Sequence, residues 1–196
     1  YELFAHLPPP APRGTDALVV GYAGALDAWF DFELLAAAAR MRPGWRFEIV
    51  GGLENAAAAP ANLSNVVFLG ERPHREMPER RSRFDVEIIP FRLSSLTHAT
   101  DPVKLYEAAA AGRAVVATPM ESLEPLAKRG LVRLAATPEA FVAAIEAAAA
   151  EGPEAAARRR EFAAANTWDA RAAELDAWIE PLLAPAAARR REGGAR

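Results

Sequence analysis

Six short apolar runs, each closed by a glycine, a proline or a polar turn, limit this chain to few folds. They are Ala17-Leu-Val-Val-Gly-Tyr22, Trp45-Arg-Phe-Glu-Ile-Val50, Asn65-Val-Val-Phe-Leu69, Asp85-Val-Glu-Ile-Ile-Pro90, Ala114-Val-Val-Ala-Thr118 and Leu131-Val-Arg-Leu134. Most are nearly continuous in apolar residues, without the strict alternation of a strand that has one wet face, so both faces of the sheet should be covered. Between them lie segments that read as helices: Asp31 to Arg40, stopped by Pro43-Gly44; Glu54 to Ala61; Glu76 to Arg83; and Lys104 to Ala111, ended by Gly112. Strand and helix in alternation predict an α/β fold, a doubly wound parallel sheet of Rossmann-like type. Such sheets bind ligands beyond the carboxyl ends of their strands, which directs attention to the loops starting at Tyr22, Gly51, Gly70, Phe91 and Thr118.

The two ends of the chain differ from this middle. Leu7 to Pro12 holds four prolines, which remove backbone donors and fix φ, so residues 1–16 are expected to be an extended linker. Residues 17–184 are expected to be the Rossmann-like domain with its C-terminal helices. Pro138 to Ala150 and Glu154 to Ala165 are alanine-rich helices parted by Gly152-Pro153. The last helix, Trp168 to Leu183, carries Trp168, Leu175, Trp178 and Leu182 on one face, a docking pattern. Residues 185–196, with Arg189-Arg-Arg191, read as a disordered basic tail able to touch anionic lipid. Arg158-Arg-Arg160 reads as a solvated helical face.

Charge and cysteine content exclude several functions. Lys and Arg number 23 against 26 Asp and Glu, a net charge of -3 that argues against nucleic acid as the main ligand. With no cysteine there is no disulfide, thiolate metal site or Cys nucleophile. No cluster of Asp, Glu and His has the spacing of a metal site, and no run reaches the roughly 18 apolar residues of a membrane span.

The stretch Thr97-His-Ala-Thr100-Asp-Pro-Val-Lys104-Leu-Tyr-Glu107 is the richest in chemistry. Pro102 suits the first turn of a helix and Asp101 or Thr100 its cap, so free amides at the helix start would face the loop. Lys104 and Glu107, three apart on one face, would present an ammonium and a carboxylate beside that positive terminus. A nucleotide offers phosphate to the first and a ribose diol to the second. A plain surface ion pair has the same spacing and contributes little. Gly21-Tyr-Ala-Gly24 is either a phosphate-binding turn or an ordinary strand-to-helix turn, since it lacks the G-x-G-x-x-G spacing and a Walker lysine. Asp27 reads as a helix cap and Trp29 as a packing residue. His98 could act as an acid/base or simply sit in a polar loop; His6 and His74 have less claim.

Asp101 to Glu107, followed by Ala-Ala-Ala-Ala-Gly112-Arg-Ala-Val-Val-Ala-Thr118, resembles the donor-binding signature of GT-B glycosyltransferases, particularly the retaining family 4 group. Phe84-Asp85-Val-Glu-Ile-Ile-Pro90-Phe91, Val66-Val-Phe-Leu-Gly70, Val50-Gly51-Gly52 and Asn166-Thr-Trp168-Asp169 are similar to landmarks of that family's C-terminal domain and come in the same order. The resemblance implies that Glu107 binds the donor ribose and Lys104 the pyrophosphate. The helix start at Thr100, Asp101 and Pro102 and the loop Ala23-Gly24-Ala25 would lie at the phosphates or the transferred sugar, with Arg72 and Pro73 near the nucleobase. It leaves the catalytic residue unassigned and needs no metal or cofactor. Its partners are a nucleotide sugar such as a UDP-sugar and an N-terminal acceptor-binding domain. Tyr1 in place of Met and the proline-rich lead-in fit a C-terminal half, inactive alone and cytoplasmic, with a peripheral membrane contact at most. Two positions depart from the pattern: Ala99 stands where many members carry a first glutamate, and Gly21 to Asp31 holds no Arg or Lys, which leaves Lys104 more of the phosphate charge. The rival expectations are a nucleotide-sugar epimerase-like enzyme and a non-catalytic Rossmann-like interaction module.

Overall fold

Each apolar run becomes a strand of one parallel sheet. In the computed structural model, which describes residues 1–8, 17–52, 60 and 62–192 apart from the side chains of 184–192, the strands are β1 (Val19–Ala23), β2 (Arg46–Val50), β3 (Val66–Gly70), β4 (Val86–Ile89), β5 (Ala114–Ala117) and β6 (Arg133–Leu134). Their spatial order is β3-β2-β1-β4-β5-β6, and every ladder is parallel. Order therefore reverses between β1 and β4, the place where a doubly wound sheet opens a crevice at its carboxyl edge. Val20, Tyr22, Phe47, Ile49, Val86, Ile88 and Val116 are almost wholly buried, as runs covered on both faces must be. Each such side chain contributes about 1.5–3 kcal/mol by leaving water.

Parallel neighbours need crossovers, and helices supply them. Between β1 and β2 runs α2 (Phe32–Met41), which buries Leu34, Leu35 and Ala38. Its cap is Asp31, whose Oδ1 accepts from the amides of Glu33 (3.0 Å) and Leu34 (2.9 Å). The expected cap, Asp27, lies four residues early and instead takes the amide of Ala28. A 3-10 turn, His74–Glu76, and α3 (Met77–Ser82) join β3 to β4. The loop starting at Phe91 contains a short helix, α4 (Ser95–His98), because Ser94 and Thr97 form a reciprocal capping box. Then come α5 (Val103–Ala110), α6 (Glu124–Lys128), α7 (Pro138–Ala149) and α8 (Pro153–Ala164). The helix expected from Glu54 to Ala61 lies largely outside the described residues.

The N-terminal segment corrects the linker reading. Glu2–Ala5 is a short helix, α1, because the prolines begin only at Pro8 and because burying Phe4, 2% exposed, gives these residues a reason to fold. Arg113 Nη2 donates to the Pro8 carbonyl at 3.0 Å and Arg160 Nη2 to that of Leu7 at 2.9 Å, fixing the segment to the sheet domain. Residues 9–16 lie outside the described part.

The chain divides into two compact units, Tyr1–Ala163 and Ala164–Arg196. The second is built on α9 (Trp168–Glu192), longer than the helix expected to end at Leu183. Three alanines and three arginines follow Pro185, all strong helix formers, and they carry the helix to Glu192, into the stretch expected to be a disordered tail, of which residues 193–196 lie outside the described part. Trp168, Leu175, Trp178 and Leu182 are exposed. Among the described residues no helix is long and apolar enough to cross a membrane.

One glycine is demanded by packing at the sheet's carboxyl edge. A Cβ on Gly51 would stand 1.9 Å from the carbonyl oxygen of Gly24, a backbone atom that cannot yield. Gly51→Ala is therefore expected to cost about 3 kcal/mol. That is a melting-temperature fall of about 6–12 °C for a domain of this size, measurable by calorimetry.

Candidate functional site

The site begins where β1, β2 and β3 end. The Gly24 amide donates to the Val50 carbonyl (2.9 Å) and the Gly51 amide to the Gly70 carbonyl (3.0 Å), so the three strand ends are stitched together. The buried Tyr22 hydroxyl donates to the Ala25 carbonyl at 2.8 Å and holds the turn after β1 open. Burial also keeps that phenol protonated by raising its pKa. These turns form one wall of a cleft of about 360 Å³, lined by Ala23 to Ala25, Val50 to Gly52, Glu71 and Arg72. His74, Met77, Arg81 and Glu107 line it as well.

Lys104, in the first turn of α5, does not line this cleft itself but packs behind the β1 turn that walls it. A Cβ on Gly24 would lie 2.8 Å from Lys104 Cε and 3.1 Å from Nζ, so the absence of a side chain there is what lets the ammonium approach. The Nζ lies 5.1 Å from the centre of the Tyr22 ring and 4.7 Å from that of Phe91. These ring faces attract the cation but do not replace its water. Burial, helped by the nearby Arg81 charge and opposed by Glu107 and Glu87, pushes the Lys104 pKa down to about 8. An anion placed against it would restore the full charge.

Glu107 stands three residues further along the same helix face. Its Oε2 accepts from Arg81 Nη2 at 2.6 Å, and its Oε1 lies 3.1 Å from His74 Nε2. Arg81 is completely buried and also pairs, through Nη1, with Glu87 of β4. Burial raises the Glu87 pKa and Arg81 opposes that rise. A carboxylate in the middle of a parallel strand needs such a cation, since either charge alone would be strongly unfavourable there.

The sequence-predicted residues are partly brought together. Gly24, Ala25, Arg72 and Glu107 line the cleft and Lys104 abuts Gly24. Pro73 is the residue before the 3-10 turn, next to Arg72. Thr100, Asp101 and Pro102 precede α5, but the capping expectation fails. Pro102 is the cap residue rather than the first helical one, and no side chain caps the helix. Asp101 accepts instead from the Tyr106 hydroxyl (3.0 Å), and the Thr100 hydroxyl donates to the Leu96 carbonyl (2.8 Å). His98 Nδ1 accepts the Glu121 amide at 3.2 Å. Sequence reading missed Arg81, and it ranked His74 too low. The available signal was Glu87, a charge inside an apolar strand that had to have a buried partner. Among the described residues no group of three or more His, Asp or Glu is arranged to hold a metal ion.

Sheet order, switch-point crevice and helix arrangement are those of a Rossmann-like domain of the GT-B glycosyltransferases. Sucrose-phosphate synthase from Thermosynechococcus elongatus superposes over 92% of this chain and 51% of its own, with a TM-score of 0.73 and 22% identity. HepE of Anabaena, solved in complex with UDP and glucose, matches over 76% of this chain and 44% of its own, with a TM-score of 0.57 and 20% identity. The profile of the family described as glycosyl transferases group 1 matches residues 17–151, and the chain belongs to that family. A curated relative is the putative teichuronic acid biosynthesis glycosyltransferase TuaH of Bacillus subtilis (strain 168). It is 30% identical over 136 aligned positions, and the match covers 65% of this chain and 34% of the relative. The chain thus spans about a third of that relative's length and about half that of the solved structures.

Proposed function

We propose that this chain is the donor-binding half of a glycosyltransferase that takes a nucleoside-diphosphate sugar, a UDP-sugar being the first candidate. The carrying observation is that α5 puts the Glu107 carboxylate in the cleft lining and the Lys104 ammonium against the Gly24 turn that walls the cleft. In this reading the diphosphate lies over that turn against Lys104 and the start of α5. The ribose hydroxyls bond to Glu107, and the base leans toward Arg72 and Pro73. The HepE complex with UDP and glucose, on a similar fold, supports a nucleotide-sugar ligand.

Chemistry follows from where charge develops. As the bond from the sugar to the diphosphate breaks, negative charge grows on the departing oxygen, and a cation and helix dipole already in place stabilise it. Lys104 and the α5 start take that role in this proposal, in place of a metal ion. The acceptor hydroxyl comes from an acceptor-binding domain outside this chain, and the sugar keeps its configuration as in the retaining group that the sequence resembles.

Titration with UDP and with GDP, followed through backbone amide signals, tests the site. Saturable shifts are expected at residues 23–25, 50–52, 72, 74 and 103–107. Shifts confined to other regions, or none at millimolar nucleotide, contradict the reading. In a sugar-transfer assay this chain alone is expected to be inactive with any acceptor, and robust transfer by it would place the acceptor site within these residues.

A further inference from the structure

Glu107 is held from two sides, and both of its partners rest on one ring. The Arg81 guanidinium lies 5.2 Å from the centre of the Phe4 ring, and the His74 ring meets the same phenyl edge-on at 5.6 Å. Phe4 comes from α1, anchored by Arg113 and Arg160. Behind Arg81 stands Glu87, so the guanidinium is clamped by a buried carboxylate, a ring face and Glu107 itself. Resting on the reading of Glu107 as the ribose ligand, we propose that Arg81 is its positioning residue and that Phe4 of the N-terminal segment completes the clamp.

The geometry gives this a specific consequence. A free glutamate side chain loses rotamer freedom when it binds, whereas one already fixed by a charge-assisted bond loses little. Each oxygen of Glu107 receives one donor from the protein, which leaves a lone pair on each for a hydroxyl. Two acceptor sites at a fixed separation suit a cis-diol better than a single hydroxyl. Discrimination between ribose and deoxyribose therefore depends on Arg81 and Phe4, although neither is required to touch the sugar. A purely structural ion pair predicts something else, a weakening of all nucleotides alike through partial unfolding.

The deciding measurement is the ratio of dissociation constants for dUDP over UDP, and for dGDP over GDP, by calorimetry. Wild type is compared with Arg81→Lys, which keeps the charge but cannot fork between two carboxylates. A second variant combines Arg81→Leu with Glu87→Leu, removing the buried pair together so that neither of its two charges is left without the other. A third is Phe4→Leu. Wild type is expected to prefer the ribonucleotide by about tenfold or more. The two Arg81 variants are expected to fall to about twofold while melting cooperatively, and Phe4→Leu to lie between. An unchanged ratio in both Arg81 variants overturns the proposal while leaving the function intact. A wild-type ratio near one removes Glu107 from the ribose and overturns both.

Discussion

Glu107→Ala is expected to weaken UDP and GDP binding by about 10- to 100-fold, the loss typical of hydrogen bonds to a charged group. The fold should tolerate it, because Arg81 keeps its bond to Glu87 after the change. Thermal melting then separates a lost contact from a lost structure. The loss should be smaller for the deoxynucleotides, which already lack one of the two hydroxyls. Glu107→Gln should fall between, since an amide keeps one acceptor oxygen but carries no charge.

Lys104→Met is expected to do more, reducing nucleoside-diphosphate affinity by about 100-fold, within the range for truncating one partner of a desolvated charge pair. Its effect carries a pH signature. With the free-protein pKa at about 8, the ammonium is present below that pH and lost above it. Diphosphate binding should therefore be level just below pH 8 and fall by up to tenfold per pH unit above it, and the Met variant should lack that limb. Stability runs the other way. Between about 8 and the ordinary value of 10.5 the unfolded chain holds a proton at this lysine that the folded chain does not. Wild-type stability thus gains from this group as pH rises through that window, and Lys104→Met removes the gain. Calorimetric titrations and melts from pH 6.5 to about 9.5 read both effects.

The parts legible in sequence are those with local causes. All six strands could be read because a strand buried on both faces leaves a short apolar run, and the pairing of Lys104 with Glu107 because helical spacing alone puts them on one face. What failed depended on competition or on distant contacts. Asp101 looked like a cap, but the Tyr106 hydroxyl takes its carboxylate. Asp27 looked like another, but Asp31 lies directly before α2. Nothing near Phe4 announces a helix, since its burial depends on Arg81 and His74, some seventy residues away. The shell around Glu107 joins α1, the turn before α3, α3, β4 and α5, and no single stretch of sequence contains it.

The missing basic residue after β1 also takes a different meaning. No lysine or arginine lies in the β1 turn, yet Arg72 after β3 and Arg81 of α3 line the same cleft, and Lys104 of α5 packs against the Gly24 turn that walls it. Arg81 is committed to Glu87 and Glu107 and the proposal gives Arg72 to the base, so Lys104 behind the Gly24 turn is the group proposed for phosphate.

A crystal structure of this chain with UDP or GDP bound tests the central claim most directly. The account predicts the diphosphate against Lys104 and the Gly24 turn, with both ribose hydroxyls on Glu107 and Arg81 still bonded to it. A nucleotide bound away from this cleft, or one whose ribose points away from Glu107, would contradict it.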